Sequence, residues 1–314
     1  MIDFNEVIDK PIPYPKGGKV ISFSQLSLYN SCHRRWKLKY IDRIKEDVQS
    51  INLVYGTAMH EILQTYFYVG FNDTMVNADK LNFTQMLRDK LISGVKEIRE
   101  KNIPNNITKE EVLEYMSSGV QILEWFRKRR SYYFQKKTHE LIGIETPIMN
   151  EIIPNVYFNG YIDLVMRDKR DGEYLLYDIK TSNKGWNKWD KRNIDKYGQL
   201  LLYKHYFMVN NNIPKEEIKK IKPIYFILKK ELKDLSEYGA MDKHVQEFTP
   251  ANGKIKLKQV NESVESFAKS CFTKEGEYNT NRGYTAIAGK DGWNCKFCPY
   301  KDRHDLCNPE NRAG

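Results

Sequence analysis

The sequence predicts an α/β (α+β) fold, a central mixed sheet flanked by helices with a helical insertion and a Cys-rich C-terminal tail, and three observations predict it. Apolar residues recur at helical spacing as far as residue 137, and short strand-like runs replace them from residue 141. Asp171-Gly172, a strong hairpin signal, separates two of those runs. A helical stretch then lies between the strand at 173–181 and another near 222–229, the pattern of helices packed on a mixed sheet.

Residues 1–20 read as a lead in which Pro11, Pro13 and Pro15 preclude a helix. Ser22 or Ser24 can cap a helix running to residue 40, with Leu26, Tyr29, His33, Trp36 and Tyr40 at helical spacing. Met59, Leu63, Tyr66 and Phe67 predict a second helix over 56–69. Residues 84–101 and 109–137 read as two more, joined by the breaker Asn102-Ile103-Pro104-Asn105-Asn106. Strands are expected at 141–149, 155–167 and 173–181, then a helix over 191–209 that Pro214 prevents from continuing. Strands near 222–229 and 243–249 and a helix over 253–272 complete the pattern. The organisation expected is one domain over 21–314, with the insertion at 71–137, the sheet core at 141–250 and the cysteine tail at 290–314.

A chain of 314 residues, 40% hydrophobic and 29% charged, is an ordinary globular protein, not a disordered one. Its 51 Lys+Arg against 41 Asp+Glu leave a net charge of +10, which favours a polyanionic partner, nucleic acid first. No apolar run approaches the roughly 20 residues that span a bilayer, so no membrane partner is expected. The mixed, acidic start Met1-Ile2-Asp3-Phe4-Asn5-Glu6 does not resemble a secretory signal. The chain is therefore expected to be cytoplasmic (intracellular), and its five cysteines suggest metal ligation more than a disulfide framework.

Asp163, Asp178 and Lys180 need a reason, because strands disfavour Asp and Lys. They sit deep in Gly160-Tyr161-Ile162-Asp163 and Tyr177-Asp178-Ile179-Lys180, away from the turn. If Asp171-Gly172 form that turn, Asp163 lies opposite Lys180, and Asp178 shares the face. Two carboxylates and a lysine on one patch can hold Mg²⁺ or Mn²⁺, acidify a water and neutralise a scissile phosphate. Lys180 would orient or stabilise the attacking species, and Ile179 offers its backbone carbonyl as a hard ligand. Gln199 and Tyr203, spaced i,i+4, share a face of the helix that follows. His60 shares a face with Leu63, Gln64 and Phe67, usually the setting of a core histidine, but in this company it reads as a metal ligand. Glu145 precedes the hairpin and can approach the same patch. The bland alternative for the acids is solvated edge-strand charge.

The loop Lys184-Gly185-Trp186-Asn187-Lys188-Trp189-Asp190-Lys191-Arg192 interleaves basic and aromatic residues. Trp186 and Trp189 could stack on unpaired bases while Lys184, Lys188, Lys191 and Arg192 meet phosphates; packing of the loop by the tryptophans is the equal alternative. Arg127-Lys128-Arg129-Arg130 could likewise close over a strand, or be a solvated helix end.

The order Gly56-x-x-x-His60, Gly160-x-x-Asp163, Asp178-x-Lys180, Gln199-x-x-x-Tyr203 resembles the RecB-type branch of the PD-(D/E)XK nuclease superfamily, over nearly the whole chain from about residue 21. The resemblance implies a restriction-endonuclease-like core. It implies His60, Asp163 and Asp178 as ligands of Mg²⁺ or Mn²⁺, Lys180 as the catalytic lysine, and Gln199 and Tyr203 in support of substrate and site. The tail Cys295-x₂-Cys298-x₈-Cys307 alone suits zinc nearly as well as iron. With Cys32 ahead of the His motif, the layout resembles iron-staple members: CRISPR-adaptation nucleases, the AddAB B subunit and mitochondrial-type single-strand exonucleases. That implies a [4Fe-4S] cluster on Cys32, Cys295, Cys298 and Cys307, with structural Zn²⁺ as the alternative, and leaves Cys271 as a small buried hydrophobe. The expected function is a metal-dependent DNA exonuclease acting on single-stranded DNA or DNA ends in DNA repair, recombination or replication. The alternatives are a CRISPR-adaptation-type end-trimming nuclease and a catalytically silent DNA-end-binding subunit. No Walker-type motif is present, so any unwinding would come from a partner helicase.

Overall fold

The computed structural model describes residues 4–44, 48–233 and 242–314. In chain order its elements begin with β1 (Lys19–Ile21), α1 (Phe23–Ser31), α2 (His33–Tyr40), α3 (Ile51–Asn72), α4 (Met75–Asp79), α5 (Phe83–Glu100) and α6 (Lys109–Tyr133). There follow β2 (His139–Ile153), β3 (Val156–Asp168), β4 (Tyr174–Ser182), α7 (Ile194–Asn210), β5 (Ile221–Lys229) and β6 (Val245–Phe248). Helix α8 (Lys254–Cys271), β7 (Ala286–Ile287), α9 (Trp293–Lys296) and β8 (Arg312–Ala313) complete the chain. The expected mixed sheet with flanking helices is present. Among the described residues, no helix is long and apolar enough to cross a membrane.

The sheet is six-stranded and built on β3. Antiparallel β2 runs along β3 from His139↔Asp168 to Ile153↔Val156 and occupies one edge throughout. The other edge is shared: β1 pairs in parallel at Val156–Phe158, and β4 pairs antiparallel from Leu164 to Arg167. Strand β5 then pairs in parallel with all of β4, and β6 closes the edge antiparallel. Apolar side chains of α3, α5 and α6 cover one face of the sheet, and those of α1, α7 and α8 cover the other.

Three local expectations are corrected. The hairpin turn is not the pair Asp171-Gly172 but a four-residue loop, closed by Asp168 N–H donating to the Glu173 carbonyl at 2.8 Å. The Asp168 carboxylate accepts from Arg170 N–H at 2.9 Å, and Gly172 takes φ 73°, so the longer loop has its own turn chemistry. Lengthening the loop by two shifts the register by two, pairing Leu164 with Tyr177 and bringing Asp178, not Lys180, level with Asp163. An even shift keeps every side chain on its face. The helix expected over 22–40 is broken at Cys32, whose extended backbone (φ −162°, ψ 112°) ends α1 and caps α2. The last residues of the expected lead form β1, too short to show a period.

β3 also departs from simple alternation. Phe158 and Ile162 face the α7 layer, whereas Leu164 and Met166 face α3, although all are even-numbered. The strand therefore turns over at Asp163. β2 does the same between Ile144 and Ile148, with Glu145 at φ 51°, and the pairs Ile144↔Leu164 and Thr146↔Ile162 keep one register across the fold.

The insertion is packed, not appended. Phe126 of α6 is wholly buried against Tyr66 and Phe67 of α3 and Phe226 of β5, with ring centroids 5.8–5.9 Å apart. Phe126→Ala is expected to cost about 3–5 kcal/mol by opening a cavity between α3 and the sheet. Urea denaturation followed by far-UV circular dichroism measures it.

Candidate active site

Strands β3 and β4 stop pairing at Leu164↔Tyr177 and part. Past that fork, the backbone N–H of Ile179 meets the Asp163 carboxylate instead of a strand carbonyl, at 2.6 Å from Oδ2. His60 of α3 brings Nδ1 to 3.5 Å from the same oxygen, and its ring lies within hydrogen-bonding reach of the Ile179 carbonyl. Asp178 is 1% exposed, and its Oδ2 lies 2.7 Å from Lys180 Nζ. The Lys180 ammonium is the partner of this buried oxygen. Glu145, at the matching fold of β2, accepts from Gln64 Nε2 at 2.6 Å, and the same nitrogen donates to the Asp163 carbonyl at 3.0 Å. Gln64 is 0% exposed, an amide among the buried apolar residues Ile62, Leu63, Tyr66 and Phe67 of α3, and that setting is the signal that could have marked it as a site residue.

Gly160 and Tyr203 explain each other. A Cβ on Gly160 would stand 2.5 Å from Tyr203 Cε1 and 2.8 Å from its hydroxyl, so only glycine lets α7 approach β3 this closely. Gln199, one turn before Tyr203, donates to that hydroxyl at 2.8 Å. Gly56 is not demanded sterically, since a Cβ there would meet Thr181 Oγ1 at an ordinary 3.5 Å.

The electrostatics show a surplus of negative charge in a dry place. Burial holds the Asp163 carboxyl well above the usual range, and the Asp178 carboxylate adds to the shift against Lys180. Asp178 and Glu145 are also raised, chiefly by burial. Burial pulls Lys180 down, but Asp178 and Asp163 outweigh it and hold the ammonium above its ordinary value. Burial and then Lys180 push His60 down to about 3, so its imidazole is neutral and able to donate a lone pair. Among the described residues, no group of three or more His, Cys, Asp and Glu side chains is arranged to hold a metal ion outright.

The basic–aromatic loop divides. Trp186 is 8% exposed and packs 4.5 Å from the Tyr225 ring, so it is a packing residue and not a stacking platform. Trp189 is 71% exposed, with Lys188 over its ring, and Lys184 and Arg192 are exposed nearby. Lys191 is half-buried over Phe248. On α6, Arg130 is spent on Asp79 at 2.7 Å and Arg127 donates to the Asp79 carbonyl at 2.8 Å, so neither reaches for a strand.

Cys32, Cys295, Cys298 and Cys307 line one small, largely enclosed cavity. Cys32 Sγ accepts from Ile287 N–H at 3.3 Å, and Arg312 donates to the Cys307 carbonyl at 2.9 Å. Tyr29 and Trp36, which would flank Cys32 on an unbroken helix, instead pack on Phe267 at 4.9 and 5.3 Å. Leu38 and Tyr300 line the cavity in their place. Cys271 lies apart, fully buried, where burial pushes its thiol up to about 12.

The raised carboxyl of Asp163 sets a sign for stability. A carboxyl raised by folding favours the folded state while protonated, and that contribution is lost as pH rises from the ordinary carboxylate value through the raised one. Asp163→Asn keeps an oxygen for the Ile179 N–H and removes the charge. With chelator present, the variant is expected to be more stable than wild type at pH 8, with a higher Tm, and the gain is expected to vanish near pH 4. Thermal melts across that range check it.

The geometry can be set beside known proteins. No curated protein matches the chain. Among solved structures, one titled "Crystal structure of SSO0001" aligns with 95% of this chain and 89% of its own at 13% identity, with a TM-score of 0.35. The profile of the PD-(D/E)XK nuclease superfamily matches residues 20–303, which contain the turned-over strand β3, the fork with β4 and helix α7. By that match across most of its length, the chain belongs to the PD-(D/E)XK nuclease superfamily.

Proposed function

We propose that the chain is a metal-dependent DNA exonuclease acting on single-stranded DNA or DNA ends, in repair, recombination or replication. The convergence of His60, Asp163, Asp178 and Lys180 at the fork of β3 and β4 carries this reading. Asp178, Asp163, the Ile179 carbonyl and neutral His60 would hold Mg²⁺ or Mn²⁺. Mg²⁺ is commonly held through one or two carboxylates, with waters and substrate phosphates completing its shell, so the pair Asp163 and Asp178 suits it. The bound cation supplies an acidified water and neutralises phosphate charge.

The remaining roles fall to the chain itself. Lys180 stays protonated beside Asp178, and with 35% of its side chain exposed it can meet a phosphate oxygen or orient the attacking water. Tyr203, locked by Gly160 and Gln199, fixes how α7 sits against the acids, and half-buried Gln199 offers an amide to the strand. Trp189 with Lys184, Lys188 and Arg192 forms an exposed stacking and phosphate-binding edge.

Four thiols around one cavity support a metal staple, which we read as [4Fe-4S]. Four thiolates would hold such a cluster, one on each iron, and the same four would hold a single structural zinc, the alternative.

With Mg²⁺ or Mn²⁺, end-labelled linear DNA is expected to be shortened while circular single strands survive. Asp178→Ala and Lys180→Ala should each slow cleavage by at least about 10²-fold with DNA binding retained. His60→Ala should raise the metal concentration required. Full activity in either of the first two variants would remove the site assignment, and cutting of circles would make the enzyme an endonuclease.

Anaerobically purified protein should contain about four irons per chain. Cys32→Ser should lose them and Cys271→Ser should not. One zinc per chain by elemental analysis would refute the cluster and keep the staple.

A further inference from the structure

A second polar cavity, of about 270 Å³, opens beside the fork where β4 and β5 end. Its walls are Asn52 and Tyr55 of α3, Tyr115 of α6, Thr181 and Ser182 at the end of β4, and Lys230 just past β5. None of the roles assigned above uses these residues.

Two observations say what the cavity takes. Tyr55 is 1% exposed, and its hydroxyl, buried in this wall, has no hydrogen-bond partner. A buried hydroxyl left unpaired is costly, and each such group in a folded protein needs an explanation. Lys230 is the second. Its side chain is 9% exposed, with Nζ 3.5 Å from the centre of the Tyr115 ring. The carboxylate beside it is Glu114, 3.6 Å away on a side chain 66% exposed, a weak partner for a covered ammonium. Tyr115 already donates its hydroxyl to Asn52 Oδ1 at 2.7 Å. A ligand that satisfies both Tyr55 and Lys230 must accept hydrogen bonds and carry negative charge. An apolar group leaves the hydroxyl orphaned, and a cation is repelled by Lys230. An oxyanion meets both needs through charge-assisted hydrogen bonds.

The position identifies the oxyanion. Thr181 directly follows Lys180, and α3 passes close enough for a Cβ on Gly56 to touch its hydroxyl oxygen at 3.5 Å. Tyr55 and Asn52 precede His60 on α3, so the cavity begins about 7–12 Å along the helix axis from His60. A strand lying across the fork covers that distance in a short step. We infer that this cavity is a phosphate subsite, holding a second phosphate of the nucleic-acid strand whose scissile phosphate lies at Asp163 and Asp178. The inference rests on the nuclease reading. The phosphate is either a terminal monoester or an internal diester, and the two share the recognition chemistry.

The test measures binding of short fluorescent single strands by anisotropy, in the Asp178→Asn chain so that nothing is cut. The strands carry a 5′-phosphate, a 3′-phosphate or hydroxyls at both ends. Lys230→Gln and Tyr55→Phe should each weaken binding roughly tenfold or more. Lys230→Gln should also lower the slope of log affinity against log salt by about 0.7, while Tyr55→Phe leaves the slope unchanged. Lys230→Arg should restore most of the affinity. Tyr55→Phe should melt no lower than its parent without DNA, because it removes an unpaired buried hydroxyl, so its weaker binding cannot be misfolding. Losses confined to strands with one phosphorylated end identify a terminal phosphate, and equal losses on all strands identify an internal one. Unchanged affinity and slope in both variants overturn the subsite whatever the cleavage assay shows. A wild-type chain that binds through Lys230 but cuts no DNA overturns the nuclease reading and leaves the subsite standing.

Discussion

One hydrogen bond sets the terms for the rest of the site: the Asp163 carboxylate accepting the N–H of Ile179 where β3 and β4 part. A peptide N–H released from a sheet must find a partner, and a carboxylate supplied by the neighbouring strand is a strong one. The bond pins Asp163 at the point where β3 turns over, and so directs a charged side chain into a place that alternation would have given to an apolar one. The bond is worth about 1.5–3 kcal/mol, whereas burying a carboxylate costs several, so it cannot by itself make that charge comfortable. Asp178 and Glu145 compound the strain, and Lys180 relieves only part of it. The scaffold holds oxygens whose charge a divalent cation is suited to balance.

Much of this was legible because the motif residues violate local preference. Asp163, Asp178 and Lys180 stood out as strand residues of the wrong type, and their convergence survived an error of two in the hairpin register because the side-chain period is also two. What could not be read were features set by tertiary context. The turning over of β2 and β3 at Glu145 and Asp163 switches the buried set from one face to the other in mid-strand, so no single periodicity reports it. Cys32 looks helical by spacing, yet its sulfur caps α2 and the chain breaks there. Trp186 and Trp189 are equivalent in a loop sequence, and only the position of Tyr225 decides which is covered. Gln64 was visible on the right face but was passed over, because a single amide among apolar residues has no spacing to identify it.

Helix α3 joins these parts. It carries Gln64, His60, Tyr55 and Asn52 in succession along its length, so one rigid element sets the distance from the acids to the second cavity. The insertion helices α5 and α6 hold α3 in place through Leu87, Phe126 and Tyr115, which makes their packing a functional matter although they supply none of the acids. Substitutions deep in that interface can therefore misalign the site without touching it.

The docking of the tail has a consequence for synthesis. Arg34 donates to the Leu306 carbonyl at 2.8 Å, Asn294 to Ser31 at 2.7 Å and Tyr300 to Ile44 at 2.7 Å, so the first helices are seated by residues 256–272 positions later in the chain. Strand β1 likewise waits for its partner, pairing Lys19 with Val156. While the ribosome is still at work, the apolar side chains of α1 and α2, Trp36 among them, stay uncovered. Contacts so distant in sequence form late and slowly. The N-terminal helices therefore cannot bury their apolar faces until the tail has been made and has docked.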